Sequence, residues 1–181
     1  MKDNKTILFV VNSDWFFLSH RLPIAKRAIE KGYIVHLATH VSTNKEKIKS
    51  YGIHIHNVDI KRSSTSLLNS FFLFLKYVRI FKSIKPDLIH LVTIKPIIIG
   101  GLACKFINRS TKLVISVSGL GYIFIDKGMK AFLRKSLIIL FYRIVFLQKY
   151  FKVIFQNNSD LENISKSTKI PSNKIILIPG S

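Results

Sequence analysis

The sequence predicts an α/β domain, a Rossmann-like, doubly wound and mostly parallel sheet flanked by helices. Three observations predict it. Short apolar runs of branched residues recur along the chain, and each stops at a polar or glycine turn. Stretches with helical periodicity separate these runs. The connecting turns are only a few residues long. Unbroken apolar runs mark strands buried on both faces, and regular β-α alternation marks a parallel sheet. The 181 residues suffice for one domain with a real core, so 1–181 is read as a single domain.

The first strand is Ile7 to Val11, ended by Asn12-Ser13-Asp14. NSDWFF reads as a polar and aromatic turn. Leu18 to Lys31 follows as a helix, with Leu18, Leu22, Ala25 and Ile29 on one side and Lys31-Gly32 as its stop. Tyr33 to Ala38 is strand two, and Asn44 to Tyr51 is a short polar helix ended by Gly52. Ile53 to Val58 is strand three, with His54 and His56 on one face. Two histidines at this spacing can ligate a metal. No third histidine or carboxylate is near in sequence, so two solvated strand residues are the preferred reading.

Ser66 to Ile84 is a long helix with Ser66 as its cap and a basic stripe of Lys76, Arg79, Lys82 and Lys85. Lys85-Pro86-Asp87 stops it. Leu88 to Val92 is strand four. Pro96 to Ile107 is a helix whose Gly100-Gly101 pair allows close packing on the sheet. Leu113 to Val117 is strand five, and Ser118 to Phe124 is a glycine-containing loop. Lys130 to Tyr150 is a second strongly apolar helix. Its longest stretch with one charge, Ser136 to Leu147, is roughly 18 Å long, short of the ~30 Å hydrocarbon core of a membrane. Val153 to Gln156 is strand six, Asn157 and its neighbours cap a helix from about Leu161, and Ile175 to Ile178 is strand seven.

Lys and Arg number 29 against 9 Asp and Glu, a formal charge of +20. Part of this follows from a composition rich in Lys, Ile, Asn and Phe together. A field of that size still attracts anions: lipid head groups, nucleic acid or phosphorylated substrates. The single cysteine, Cys104, excludes an internal disulfide and a cysteine zinc cluster. The positive N-terminus precedes an apolar run too short for a signal segment, so it reads as a cytoplasmic first strand.

Gly119-Leu120-Gly121 fails the dinucleotide fingerprint, because Phe124 stands where the third glycine belongs and the loop follows strand five. No P-loop and no GxSxG elbow occur. No cofactor and no metal are therefore expected. What remains is a ring of polar groups at strand C-termini. Asn12, Ser13 and Asp14 follow strand one, with His20 and Arg21 opening the first helix nearby. Thr93 and Lys95 follow strand four, Ser116, Ser118 and Gly119 strand five, and Gln156, Asn157 and Asn158 strand six. Ser, Asn and Gln there can bond hydroxyls. The NH groups of Gly119 and Gly121, with Lys95 and Arg21, can hold a phosphate. Two readings stand at this point: a rim for a sugar phosphate, or helix caps and a plain turn.

FVVNSDWFFLSHRLPIA, PDLIHLVTIKP, VSGLGYIF, VIFQN and IPGS, in that order, resemble the N-terminal domain of family 4 glycosyltransferases, and most of all bacterial enzymes of O-antigen and capsule assembly. The likeness spans essentially all of 1–181. It implies one half of a GT-B fold, the half that binds the sugar acceptor. It further implies that the nucleotide-sugar donor is held mainly by a second domain absent from this sequence, so that the chain is truncated or one half of a split enzyme and inactive alone. Asn12, His20, Lys95, Ser118, Gly119 and Asn157 match motif positions. Many family members carry a functional histidine after strand five; Ser118-Gly119 stands there instead.

The expectation is an acceptor-binding half of a glycosyltransferase. It acts on a lipid-linked saccharide at an anionic membrane surface, peripheral at the cytoplasmic inner face of the plasma membrane. A second expectation is a non-catalytic membrane module that recruits a donor-binding partner chain. Nucleic acid is the weakest candidate, because no nucleic-acid motif occurs and the basic stripes lie on the most apolar helices.

Overall fold

A computed structural model of the chain describes residues 4–59, 67–107, 110–118 and 128–179. Among these, seven strands form one sheet: β1 (Thr6–Ser13), β2 (Ile34–His40), β3 (His54–Asn57), β4 (Leu88–Val92), β5 (Lys112–Val117), β6 (Phe151–Phe155) and β7 (Ile175–Leu177). Their order is β3-β2-β1-β4-β5-β6-β7, and every pairing is parallel. The doubly wound sheet is thus observed. The chain winds outward from β1 to β3, crosses back, and continues from β4 to β7. This reversal sets β1 beside β4, and the C-terminal ends of these two strands are the switch point where such sheets bind ligands.

Strand alternation sends successive side chains to opposite faces. Phe9, Val11 and Leu37 meet Phe17 of α1 (Asp14–His20), Ala25 of α2 (Leu22–Glu30) and Ile48 of α3 (Lys45–Lys49). Leu8, Leu91, Ile115 and Val153 meet the other layer. Tyr77 and Phe81 come from α4 (Leu67–Ile84), Ala103 from α5 (Gly101–Ala103), Tyr142 from α6 (Met129–Val145) and Ile164 from α7 (Asn158–Thr168). On the first face, β5 and β6 keep Lys112, Val114, Lys152 and Ile154 at least partly exposed.

Several local expectations are corrected. NSDWFF is not a turn: the strand runs to Ser13, which pairs with His40 beyond an irregularity, and α1 starts at Asp14. The single helix expected over Leu18–Lys31 is two helices, broken at Arg21 (φ −127°, ψ −13°). Pro23 explains the break. It has no N–H for the bond to Ser19, and it is tolerated only in the first turn of the helix it restarts. His54 and His56 do have a third histidine beside them. The β2–β3 register brings in His36, whose Nδ1 lies 2.9 Å from His56 Nε2 and whose ring stacks 4.8 Å from that of His54. The near-parallel rings bond and stack rather than converge. Among the described residues no cluster of three or more ligating side chains is placed to hold a metal ion.

The Pro96–Ile107 helix changes its winding, from a π-turn over Pro96–Gly100 through α5 to a 3-10 turn over Cys104–Phe106. Its glycines serve two partners. A Cβ on Gly100 would lie 2.9 Å from Leu91 Cδ2 of the sheet, but one on Gly101 would lie 2.6 Å from Val145 Cγ2 of α6. The second glycine therefore admits a helix, not the sheet. Helix α6 ends at Val145 rather than Tyr150, and α7 starts at Asn158 rather than near Leu161. Lys85 ends α4 with φ +50°, and the residue beyond Pro86, Asp87, accepts a hydrogen bond from Thr6 N at 2.7 Å, which ties the start of β1 beside β4. The expected cap Ser66 lies outside the described residues.

Candidate functional site

Parallel pairing brings the C-terminal ends of β1, β4, β5 and β6 to one edge, so Asn12, Ser13, Lys95, Ser118 and Asn157 all lie along it. At the switch point the edge is polar and only partly satisfied. Asn12 Oδ1 and Thr93 Oγ1 are buried without a hydrogen-bond partner among the described residues. Leaving such a group unpaired costs about 1–3 kcal/mol, and orphaned groups of this kind call for a ligand, an ion or a water. Thr93 also holds φ at +72°. A β-branched residue rarely adopts this left-handed backbone, and strain of this sort gathers at binding sites. The turn it makes delivers Lys95 and Pro96 directly above β4.

Below that edge lies a buried polar group of three. His90 of β4 approaches Ser116 Oγ of β5 at 2.7 Å through Nε2. Arg21 is 7% exposed; its Nη1 donates to the His20 carbonyl at 2.9 Å, while its Nε is buried without a partner. Burial lowers the pKa of Arg21. Burial first, and the Arg21 charge second, hold His90 down to about 3. His90 is therefore neutral at physiological pH, and it leaves the guanidinium as a positive charge facing a neutral partner. A buried cation of this kind favours an anion.

The remaining candidates divide. Asp14 is fully buried and both oxygens are engaged. Oδ1 accepts from Trp15 N (2.8 Å) and Ser42 Oγ (2.8 Å), and Oδ2 accepts from Ser42 N (2.9 Å) and Asn44 N (3.1 Å). Burial alone would raise its pKa, but these bonds prevail and lower it. Asp14 thus clamps the start of α1 to the loop before α3. Asn157 accepts from Asp160 N at 2.7 Å and caps α7. Ser13 precedes α1 without a side-chain cap bond. His20 closes α1 instead of opening a helix, stacks on Phe16 at 4.3 Å, and has Nδ1 3.3 Å from the Phe16 carbonyl. Gly119 and Gly121 lie outside the described residues.

A cavity of about 260 Å³ opens at the same edge, lined by Asp59, Asn69, Ser70, Phe72, Leu73, Lys76 and Lys95. Asp59 lies just beyond β3, Lys95 beyond β4, and the rest lies on α4 between Asn69 and Lys76. Burial lowers the pKa of Lys95. Of the sequence candidates among the described residues, Lys95 lines it. Sequence reasoning missed the α4 residues, because a helix face cannot be assigned to a cavity before the sheet order is known. Asp59 had a signal, since it follows strand three as the other rim residues follow theirs. His90 had one too: a lone polar residue inside the buried run LIHLV.

The family model described as "Glycosyl transferase 4-like" matches residues 6–157. No curated protein matches. Several solved structures do. A glycosyltransferase from Rickettsia africae is 18% identical with a TM-score of 0.66, over 98% of this chain and 43% of that one. HepE of Anabaena, solved in complex with UDP and glucose, is 15% identical with a TM-score of 0.66, over 98% and 45%. A UDP-N-acetylglucosamine 2-epimerase from Rickettsia bellii is 10% identical with a TM-score of 0.65, over 98% and 45%. At these identities the likeness is one of fold. The chain spans less than half the length of each of these three.

Proposed function

The chain belongs to the glycosyl transferase 4-like family, and we propose that it is the acceptor-binding half of a glycosyltransferase of surface-polysaccharide assembly. In this reading a nucleotide-sugar is held mainly by a second domain, in the same chain or in a partner chain. The sugar passes to a lipid-linked saccharide held against this half. One observation carries the reading: polar groups orphaned among the described residues, Asn12 Oδ1 and Thr93 Oγ1, and the buried guanidinium of Arg21, for which the described residues offer no ion pair, gather around the β1/β4 switch point. Such groups suit hydroxyls and a phosphate. The protein's task is then positional. It orients an acceptor hydroxyl, and the opposing domain neutralises the departing diphosphate. Asn12, Ser118 and His20 are assigned to the saccharide, and Lys95 and Arg21 to phosphate. Asp14 and Asn157 hold the frame on which these stand.

A peripheral location at the inner face of the plasma membrane completes the reading. No helix among the described residues is long and apolar enough to cross a membrane. Yet Leu67, Phe71 and Phe72 on α4 and Met129, Phe132 and Leu137 on α6 are more than half exposed. The same exposed helices also favour the second reading, a membrane module that recruits a donor-binding chain. Binding separates the readings. The chain is titrated with a polyprenyl-diphosphate oligosaccharide in detergent micelles and, separately, with UDP-sugars. Saturable binding of the lipid-linked saccharide, weakened in His20→Ala and Lys95→Ala, is the expected result. Binding of nucleotide-sugar alone, or of neither, would remove the acceptor-half assignment.

A further inference from the structure

The described helices cover the two faces of the sheet unevenly. On the face of Phe9 and Leu37, the buried apolar side chains come from β1, β2, β4, α1, α2, α3 and the turn before β3, and none comes from β5, β6 or β7. On the other face, the core runs across β5 and β6 beneath α4 to α7. A parallel sheet ordinarily carries helices on both faces. Among the described residues, the first face of β5 to β7 has none.

This surface has an aliphatic floor and a cationic rim. The strand register sets Leu88, Val114, Ile154 and Ile176 on it, each at least partly exposed. A recess of about 320 Å³ opens over the first residues of the strands, and its walls include Leu88, Val114 and Tyr150 beside Lys112, Lys152 and Lys174. Lys152 Nζ donates to the Asn173 carbonyl at 2.6 Å, and Lys174 Nζ donates to the Lys149 carbonyl at 3.3 Å. Asn173 precedes β7 and Lys149 precedes β6, so both ammonium groups lie where the strands begin and the floor stays aliphatic. Their partners are neutral. No ion pair among the described residues engages any of the three lysines.

Size and charge decide what fits there. Neighbouring strands lie about 4.8 Å apart, so a helix about 10 Å across covers β5 and β6 together. Its apolar stripe would meet the floor, and carboxylates beside that stripe would meet the rim. A nucleic-acid backbone would satisfy the lysines but not the aliphatic floor. A bilayer is met from the other side, because the exposed apolar residues of α4 and α6 belong to the opposite helix layer. We infer that this sheet face is the docking surface for an amphipathic helix of a partner protein, apolar along one stripe and flanked by Asp and Glu. It lies at the strand starts, away from the edge of Asn12, Lys95 and Asn157, so an occupant leaves that edge open.

The test uses the full chain and labelled helical peptides of about 18 residues, long enough to hold a helix. One peptide has a Leu stripe flanked by Glu, a second has Lys in place of Glu, and a third scrambles the first. Fluorescence anisotropy reads binding, and acetylation of lysines with and without peptide reads its place. The Glu-flanked peptide should bind about tenfold tighter than its scramble. Lys112→Glu/Lys152→Glu should weaken it about tenfold, the size of two exposed ion pairs, and should strengthen the Lys-flanked peptide. Lys31→Glu, after α2, should bind as the parent does. Thermal melts verify that the variants are folded, and the acetylation pattern needs no variant: Lys112, Lys152 and Lys174 should be protected. Equal binding of the scramble would reduce the effect to bulk charge and overturn the helix reading. Protection at Lys76 and Lys130 instead, or no effect of the double variant, would overturn this face as the site. None of the probes is a saccharide or a nucleotide, so the outcome is independent of the acceptor-half reading.

Discussion

Three histidines carry most of the residue-scale chemistry outside the rim. Burial is the largest cause lowering His36, His56 and His90; His36 comes down to about 4 and His90 to about 3. A neighbouring histidine adds to the first two and Arg21 to the third. A base whose folded pKa lies below its unfolded value of about 6.5 charges first in the unfolded chain. Between pH 6.5 and 4 the unfolded state therefore binds more protons, and stability rises with pH across that window. Its contribution is full above about pH 6.5 and falls as the pH drops toward the folded values. Urea midpoints at pH 7.5 and pH 5 test this: a lower midpoint at pH 5 is expected, with a smaller drop in His36→Gln. A midpoint that holds steady or rises on acidification would contradict it. These histidines also mark what was legible. His54 and His56 were visible as a strand-face pair, but their third member lies 18 residues from His54 in the sequence (54 − 36), and only the β2–β3 register discloses it. Asp14 was visible as a polar rim residue, and only the fold reveals that its oxygens are taken by Ser42 and Asn44.

At the scale of elements, every expected strand exists, because short branched runs bounded by polar or glycine turns, such as Ile7–Val11 and Leu113–Val117, bury both faces in a parallel sheet. Boundaries were less legible where one residue overrode a periodic pattern. Pro23 splits a helix that the spacing of Leu18, Leu22, Ala25 and Ile29 predicts as one. Helices α4 and α6 show the limit of periodicity most plainly. Both are apolar nearly all round, so sequence could not say which flank packs. The fold buries Leu73, Tyr77, Ile80 and Phe81 of α4 and Ala131, Tyr142 and Val145 of α6. The surplus remains outside beside Lys76, Arg79, Lys130 and Arg134. An amphipathic surface of this type binds anionic bilayers through apolar burial plus charge, at about 1 kcal/mol per basic residue near the surface. In flotation, recovery with phosphatidylglycerol vesicles should exceed that with phosphatidylcholine, and Phe71→Ser/Phe132→Ser should reduce it. Equal recovery from the two vesicle types, or none from either, would exclude this surface as a membrane contact.

For the whole molecule, the described chain has a core on both faces of one sheet, so it should melt cooperatively by itself. In the acceptor-half reading, what it offers to chemistry is one wall. The candidate groups lie along a single edge, and among the described residues nothing faces them from across a cleft. A displaced nucleoside diphosphate needs cations or NH dipoles placed at its oxygens. Such stabilisation is commonly worth several kcal/mol, and each ~1.4 kcal/mol is tenfold in rate. An open wall also admits water to the reacting carbon. Residues 1–181 alone should therefore give no sustained transfer from labelled nucleotide-sugars to a lipid-linked acceptor, although they fold. Adding the C-terminal domain of a family 4 enzyme in trans should restore turnover if the two halves meet as separate chains. Sustained transfer by the chain alone would end the half-enzyme reading, because the leaving diphosphate would then have to be stabilised from this edge, where Lys95 is a cation among the described residues and Arg21 lies just below it.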